Sequence, residues 1–349
     1  MKTPLQRFRD DYLETLLRFL WREWTALGVA GQEKAALQHV ADPEALLLFT
    51  CALGRYDQRL FDEVMDWLTK NGRFLNVQRM KNILRREAFG GSDVLRAVAD
   101  WLAQRGAPMK WKLLVKAERS SDTRQTLFHL PDGRPLPQPS DADPLFLKHG
   151  FIRNPVALRG YARTFSPDAT PCLFLKMRAL FGLNARCDVL TYLAINGTGH
   201  PREVARELYY SQKAIHDVMT DMACSGVVQS SRGARERTFR MVAGASPFLT
   251  QPVGNTRWVN WPILLSTAET VWRMTEELCA AKLEPRLESS EILLTMQPLL
   301  ERLTRARWAP PLPATQHPQG CALLSTFQAA FETVAHAMLS EFSRGPVAQ

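Results

Sequence analysis

The chain has 349 residues, 46% of them hydrophobic and 23% charged, a balance that excludes broad disorder, and its length predicts two or three compact units. A formal net charge of +9 favours a polyanionic partner, because clustered Lys and Arg release counterions from phosphates. No apolar run approaches the roughly 18–20 residues of a membrane span, and "MKTPLQRFRDDYLETLL" carries acids where a signal peptide would be apolar, so a cytoplasmic protein without membrane association is expected.

"TPLQRFRDDYLETLLRFLWREWTALG" sets Leu5, Phe8, Tyr12, Leu16, Leu20 and Trp24 at spacings of three and four, which predicts an amphipathic helix. "PEALLLFTCALG", "DQRLFDEVMDWLTKNG", "NVQRMKNILRREAF" and "SDVLRAVADWLAQRG" repeat that grammar between Pro, Asp, Asn and Gly punctuation, the last ending at Gly106. Together they predict an N-terminal helical domain over residues 1–116. Within it, "NVQRMKNILRRE" could hide a second helix-turn-helix, with Asn76 as cap and Gln78, Arg79 and Lys81 outward; a plain bundle is the simpler expectation. Asp10 and Asp11, and Asp62, Glu63 and Asp66, read as solvated helix faces.

Residues 117–147 turn to Pro, Asp and Ser, with Pro131, Pro135, Pro137 and Pro139 close together, and predict a linker with a short hairpin around "PDG". From Lys148 the composition is one-sidedly basic, with Arg153, Arg159, Arg163, Lys176 and Arg178 against the single acid Asp168. Residues 148–245 form the third expected unit and residues 246–349 a C-terminal helical region. In that last region Trp258 and Trp261 staple a helix entrance, and Leu324, Phe327, Phe331, Val334 and Met338 share one stripe of a final helix. No solenoid repeat is present.

"NARCDVLTYLAINGTG" predicts a short helix through Val189, Leu190, Leu193 and Ile195 that stops at Gly197 and Gly199. Pro201 suits the first turn of a helix in which Val204, Ala205 and Leu208 face inward and Arg202 and Arg206 outward. Ser211 is an N-cap for "QKAIHDVMTDMACS", whose apolar stripe is Ile215, Val218, Met219 and Met222, and Gly226 suits its C′ position. "VVQSSRGARERTFRM" reads as a hairpin with Arg232, Gly233 and Arg235 near its tip.

The ordered series over Leu183–Met241, with "REVARELYYSQKAIHDVMTDMACSGVV" at its centre, resembles the winged helix-turn-helix of bacterial regulators such as the MarR and ArsR groups. The expected fold is therefore mainly α, with a central winged helix-turn-helix bearing a small β-hairpin wing. The resemblance implies a transcriptional regulator that binds double-stranded DNA as a homodimer. Ser211, Gln212, Lys213, His216 and Thr220 would face the major groove, Arg232, Arg235 and Arg237 would meet phosphate from the wing, and Arg202 and Arg206 would clamp the backbone. Asp217 and Asp221, on or near the same side, would repel phosphate if they faced it. The alternative is use of the winged helix for protein contact or autoregulation: the whole chain also resembles bacterial helix-turn-helix antitoxins paired with nucleotidyltransferase-like toxins, implying a scaffold or antitoxin with a partner from a neighbouring gene.

No phosphate-binding loop, nucleophile elbow or metal-spaced His/Cys set occurs, so neither an enzyme nor a cofactor nor a metal is expected. The six cysteines have no close pair and read as reduced thiols.

Overall fold

A computed structural model describes residues 2–31, 39–105, 108–115, 124–232, 237–242, 256–281, 283–308 and 321–340. It is mainly helical. Helix α1 (Pro4–Ala26) opens on a capping box between Thr3 and Gln6 and buries all six residues of the expected stripe. It is followed by α2 (Pro43–Leu53), α3 (Gln58–Asn71), α4 (Val77–Arg86), α5 (Ser92–Ala103) and α6 (Pro108–Val115). Asp42, Asp57 and Asn76 cap α2, α3 and α4, each accepting from a backbone N–H three residues on. Gly106 lies outside the described residues.

Strand β1 (Gln125–Thr126) pairs in parallel with β2 (Phe151–Ile152), with α7 (Pro144–Lys148) between them. The hairpin around "PDG" is present as a bridge between His129 and Pro135. Residues 124–147 do not behave as a linker, because Leu127, Phe128 and Phe146 are buried in the same core as α1–α6. Proline content reads locally as open loop, yet three apolar anchors are enough to dock the segment.

Helices α8 (Leu173–Phe181) and α9 (Ala185–Asn196) lead to β3 (Thr198–Gly199), α10 (Pro201–Leu208), α11 (Gln212–Cys224), β4 (Val228–Arg232) and β5 (Arg237–Met241). The three strands form an antiparallel sheet in the order β3-β5-β4. Gly199 belongs to this sheet, and a Cβ there would lie 2.6 Å from the Val204 side chain, so β3 can pass beside α10 only as glycine. The two-residue β3 left no periodic mark in the sequence.

The last helices, α12 (Trp261–Ala281), α13 (Pro285–Arg305) and α14 (Cys321–Ser340), return to the N-terminal helices. Phe327, Phe331, Val334 and Met338 are buried with Phe8, Tyr12 and Leu16 of α1 in one core. That core also takes in Phe151, Ala162 and Phe165, whereas a second one runs from Leu173 to Phe239 with Val40 and Trp258. The two cores therefore do not follow the expected boundaries at 116, 147 and 245, because both ends of the chain fill the first. At the joint, the Trp258 ring meets Tyr192 edge-on at 4.9 Å in the second core while Trp261 is buried in the first.

Gly91, the cap residue before α5, lies against the end of α2, where a Cβ would lie 2.6 Å from the Ala52 nitrogen and the Cys51 carbonyl carbon. Backbone atoms cannot swing aside as a side chain can. Gly91→Ala is expected to cost about 1–3 kcal/mol through overpacking, read as a lowered urea midpoint at unchanged slope.

Candidate nucleic-acid interface

The site is built on α10, α11 and the β4–β5 hairpin. His200 caps α10 through Nδ1, which accepts from the Arg202 N–H at 3.2 Å, and Pro201 takes the first helical position. Helix α10 ends at Tyr209, a non-glycine residue in the left-handed region at φ 63°. Such a backbone costs about 1–3 kcal/mol and persists only where its surroundings hold it.

Those surroundings are explicit. The Leu208 carbonyl accepts from Arg79 Nε at 3.1 Å, the Tyr209 carbonyl from Asn82 at 2.8 Å and the Tyr210 carbonyl from Arg86 at 3.0 Å, so α4 hydrogen-bonds three consecutive residues of the turn. The Tyr209 hydroxyl meets Glu87 at 2.9 Å and Asn260 at 3.2 Å, and the Tyr210 hydroxyl donates to Asp188 at 2.8 Å. Burial raises both phenols well above their ordinary range, with the neighbouring carboxylates adding to it, so both stay neutral donors. Helix α4 is thus a clamp on the turn, and Arg79, read from sequence as an outward residue, is buried.

Ser211 caps α11, its Oγ accepting from the Ala214 N–H at 3.2 Å. Ile215, Met219 and Met222 are buried, Val218 is half-buried, and Gln212, Lys213 and His216 are exposed. Thr220 departs from that outward set: it is half-buried, and its hydroxyl oxygen is enclosed with no hydrogen-bond partner. Asp217 and Asp221 are exposed, Asp221 at 3.0 Å from the exposed Arg186 and Asp217 at 3.7 Å from His216. Arg202 and Arg206 are exposed on α10, Arg206 at 3.2 Å from Glu207.

On the hairpin, Arg232 pairs in register with Arg237, while Arg235 lies outside the described residues. Arg237 is exposed, its guanidinium over the Phe239 ring at 5.1 Å and donating to Ser230 at 3.0 Å. Arg240 is exposed as well and donates to Gln229 at 3.0 Å. Neither Arg186 nor Arg240 was singled out from sequence. Strand alternation could have found Arg240, but Arg186 reaches the site only through its approach to Asp221, 35 residues away.

The acids of this region are mostly withdrawn. Asp188 is buried against Arg178, Glu207 is buried and accepts from Trp258 and Asn260, and Glu203 is paired with Arg307. Among the described residues from Ala185 to Met241, Arg186, Arg202, Arg206, Lys213, Arg237 and Arg240 are left exposed against Asp217 and Asp221. The basic stretch from Lys148 behaves differently, since much of its charge is spent inside the protein. Arg153 is buried among Phe61, Phe128 and Phe146 and bonds Asp62 at 2.7 Å, and Arg178 is buried against Glu44, while Lys148, itself exposed, bonds Asp100 at 2.7 Å.

The acids of α3 are a further correction. Glu63 and Asp66 are buried rather than solvated, and Asp66 accepts from the Ala162 N–H at 3.0 Å. No group of His, Cys, Asp and Glu able to hold a metal occurs among the described residues, and none of their helices is long and apolar enough to cross a membrane. No protein-family model, curated protein or solved structure matches the chain.

Proposed function

We propose that α9 to β5 form a winged helix-turn-helix and that the protein is a DNA-binding transcriptional regulator acting as a dimer. The observation that carries this reading is the charge left exposed around α11: six cations against two carboxylates in a chain segment whose other described acids are buried or paired. The order helix, strand, helix, helix, hairpin, with the short strand beside the hairpin, agrees with it. Gln212, Lys213 and His216 would approach base edges, and Arg202, Arg206, Arg237 and Arg240 would meet phosphates. Asp217 and Asp221 bias the helix toward exposed base amino groups, which a carboxylate accepts from, and Arg186 offsets Asp221.

The experiment is a gel-shift series with the chain's own upstream region over increasing salt. Retardation at low salt is expected, and Arg202→Ala together with Arg237→Ala should lower the slope of log K against log salt by about 2. Absence of retardation at low salt, or an unchanged slope, would overturn the reading.

A protein-binding role, as scaffold or antitoxin, is favoured by one separate observation. Leu180 and Phe181 at the end of α8 and Leu183 just after it are exposed, and Leu287, Leu293 and Leu294 are exposed on α13. Co-purification of a neighbouring gene's product from a chain that fails to retard DNA would favour that role.

A further inference from the structure

A cavity of about 480 Å³ lies between the end of α2, the start of α5, helix α12 and the hairpin of residues 129–135. Such a volume suits one small organic molecule. Four carboxylates stand in its wall, Asp93, Glu269, Glu276 and Glu277, in a protein whose overall charge is +9.

Glu269 is the unusual member. It is 1% exposed, its Oε1 accepts from the Gly90 N–H at 2.6 Å, and its Oε2 has no hydrogen-bond partner. The Arg273 guanidinium on the same helix approaches Oε1 no closer than 3.9 Å and is itself 46% exposed. A buried carboxylate oxygen without a donor loses its hydration without replacement, a cost that a bound donor would remove.

The other cation of the wall is already committed. Arg55 donates from Nε to the Leu127 carbonyl at 2.9 Å and from Nη2 to the Thr126 carbonyl at 3.3 Å, and lies over the Phe151 ring at 5.7 Å. Trp272 and Tyr56 meet edge-on at 5.2 Å, and the Tyr56 hydroxyl donates to Glu276 at 3.0 Å. Acid and aromatic surface together select a positively charged guest, since the face of an indole or phenol ring attracts a cation.

We propose that this cavity binds a small organic cation, a primary amine or guanidine, whose N–H groups pair with Glu269 while its hydrocarbon part lies on Trp272. The proposal stands apart from DNA binding. Burial raises the Glu269 carboxyl to about 7 against the pull of the Gly90 N–H and Arg273, so a cation must displace a proton to bind at lower pH. His129, Asp93, Glu276, Glu277, Arg55 and Tyr56 face the same space from the neighbouring elements.

Calorimetric titration of the full chain with agmatine and with benzylamine, against neutral benzyl alcohol, tests it. At least one of the two cations should bind with a dissociation constant below about 1 mM. Benzyl alcohol should bind at least tenfold more weakly than benzylamine, and affinity for the cation should rise about tenfold from pH 6 to pH 8 as Glu269 gives up its proton. Glu269→Gln keeps the size and the acceptor for Gly90, so it should fold with an unchanged far-UV spectrum and lose at least tenfold in cation affinity. Failure of both cations to bind, equal binding of the alcohol and benzylamine, or undiminished affinity in Glu269→Gln would overturn it.

Discussion

Arg178→Ala should destabilise the protein by about 3–5 kcal/mol, the range for removing one partner from a buried ion pair. Arg178 is fully buried, with Nη1 at 2.7 Å from Glu44 and Nε at 3.0 Å from Asp188. Glu44 belongs to α2 and Asp188 to α9, so one guanidinium joins the helical body to the second core. Arg79 extends the network, its Nη1 reaching Asp42 at 2.8 Å and Glu44 at 2.7 Å. Burial alone would pull both guanidinium groups toward neutrality and raise the Asp42 carboxyl. The opposite charges outweigh it, holding both arginines above and Asp42 below their ordinary values. Truncating Arg178 leaves two carboxylates in an enclosed space without their shared partner. Arg186→Ala is the contrast: its bond to Asp221 is the same length, but both side chains are more than half exposed, so the loss should stay within about 1 kcal/mol. Urea unfolding of the two variants side by side reads the difference, and similar costs would show that the buried network is not what joins the cores.

Stability should also fall between about pH 4.5 and pH 7 because of Glu269. In the folded protein this carboxyl keeps its proton up to about pH 7, whereas the unfolded chain releases it near the ordinary value of 4.5. Within that window the native state binds more protons than the unfolded state, so raising the pH favours unfolding, and above pH 7 the contribution levels off. The full difference is roughly 3 kcal/mol, from 1.36 kcal/mol for each pH unit of separation. Glu269→Gln removes the titrating group, so the gap between the two proteins should open in the variant's favour from pH 5 to pH 8. Melting temperatures across that range check it; parallel curves would mean that Glu269 titrates at its ordinary value.

Helix positions were legible because burial on one side of a helix writes itself into the chain every three or four residues. The stripes Leu5 to Trp24 and Phe327 to Met338 are of that kind, as is Ile215, Met219 and Met222. Caps were equally readable at Asn76 and Ser211, where a side chain serves its own helix start. What stayed hidden was the fate of charge. Arg79, Arg153, Arg178, Glu63 and Asp66 look like ordinary surface residues, and their burial depends on neighbours far away in sequence, 91 residues between Asp62 and Arg153 and 134 between Glu44 and Arg178. No local period reports such meetings. The same reason hid the closure of the first core, since α1 and α14 contribute matching stripes from opposite ends of the chain. At α11 the periodicity shows which residues point out, but the neutralisation of surrounding acids, on which the charge of the surface depends, is a property of the folded molecule.

The clamp on Tyr209 carries one more consequence. Residues 76–86 fix the angle at which α10 hands over to α11, and Asn260, at the entrance of α12, holds the same tyrosine from the other side. A fragment cut at residues 148–245 would keep the Tyr209 N–H bond to the Ala205 carbonyl and the Tyr210 hydroxyl bond to Asp188, but would leave behind Asn82, Arg86, Glu87 and Asn260, the side chains that hold the strained left-handed tyrosine from outside. The direction of α11 is therefore set in part by α4 and Asn260, which hold residues 208–210 rather than α11 itself, so substitutions on α4 should alter its aim as well as substitutions on α11.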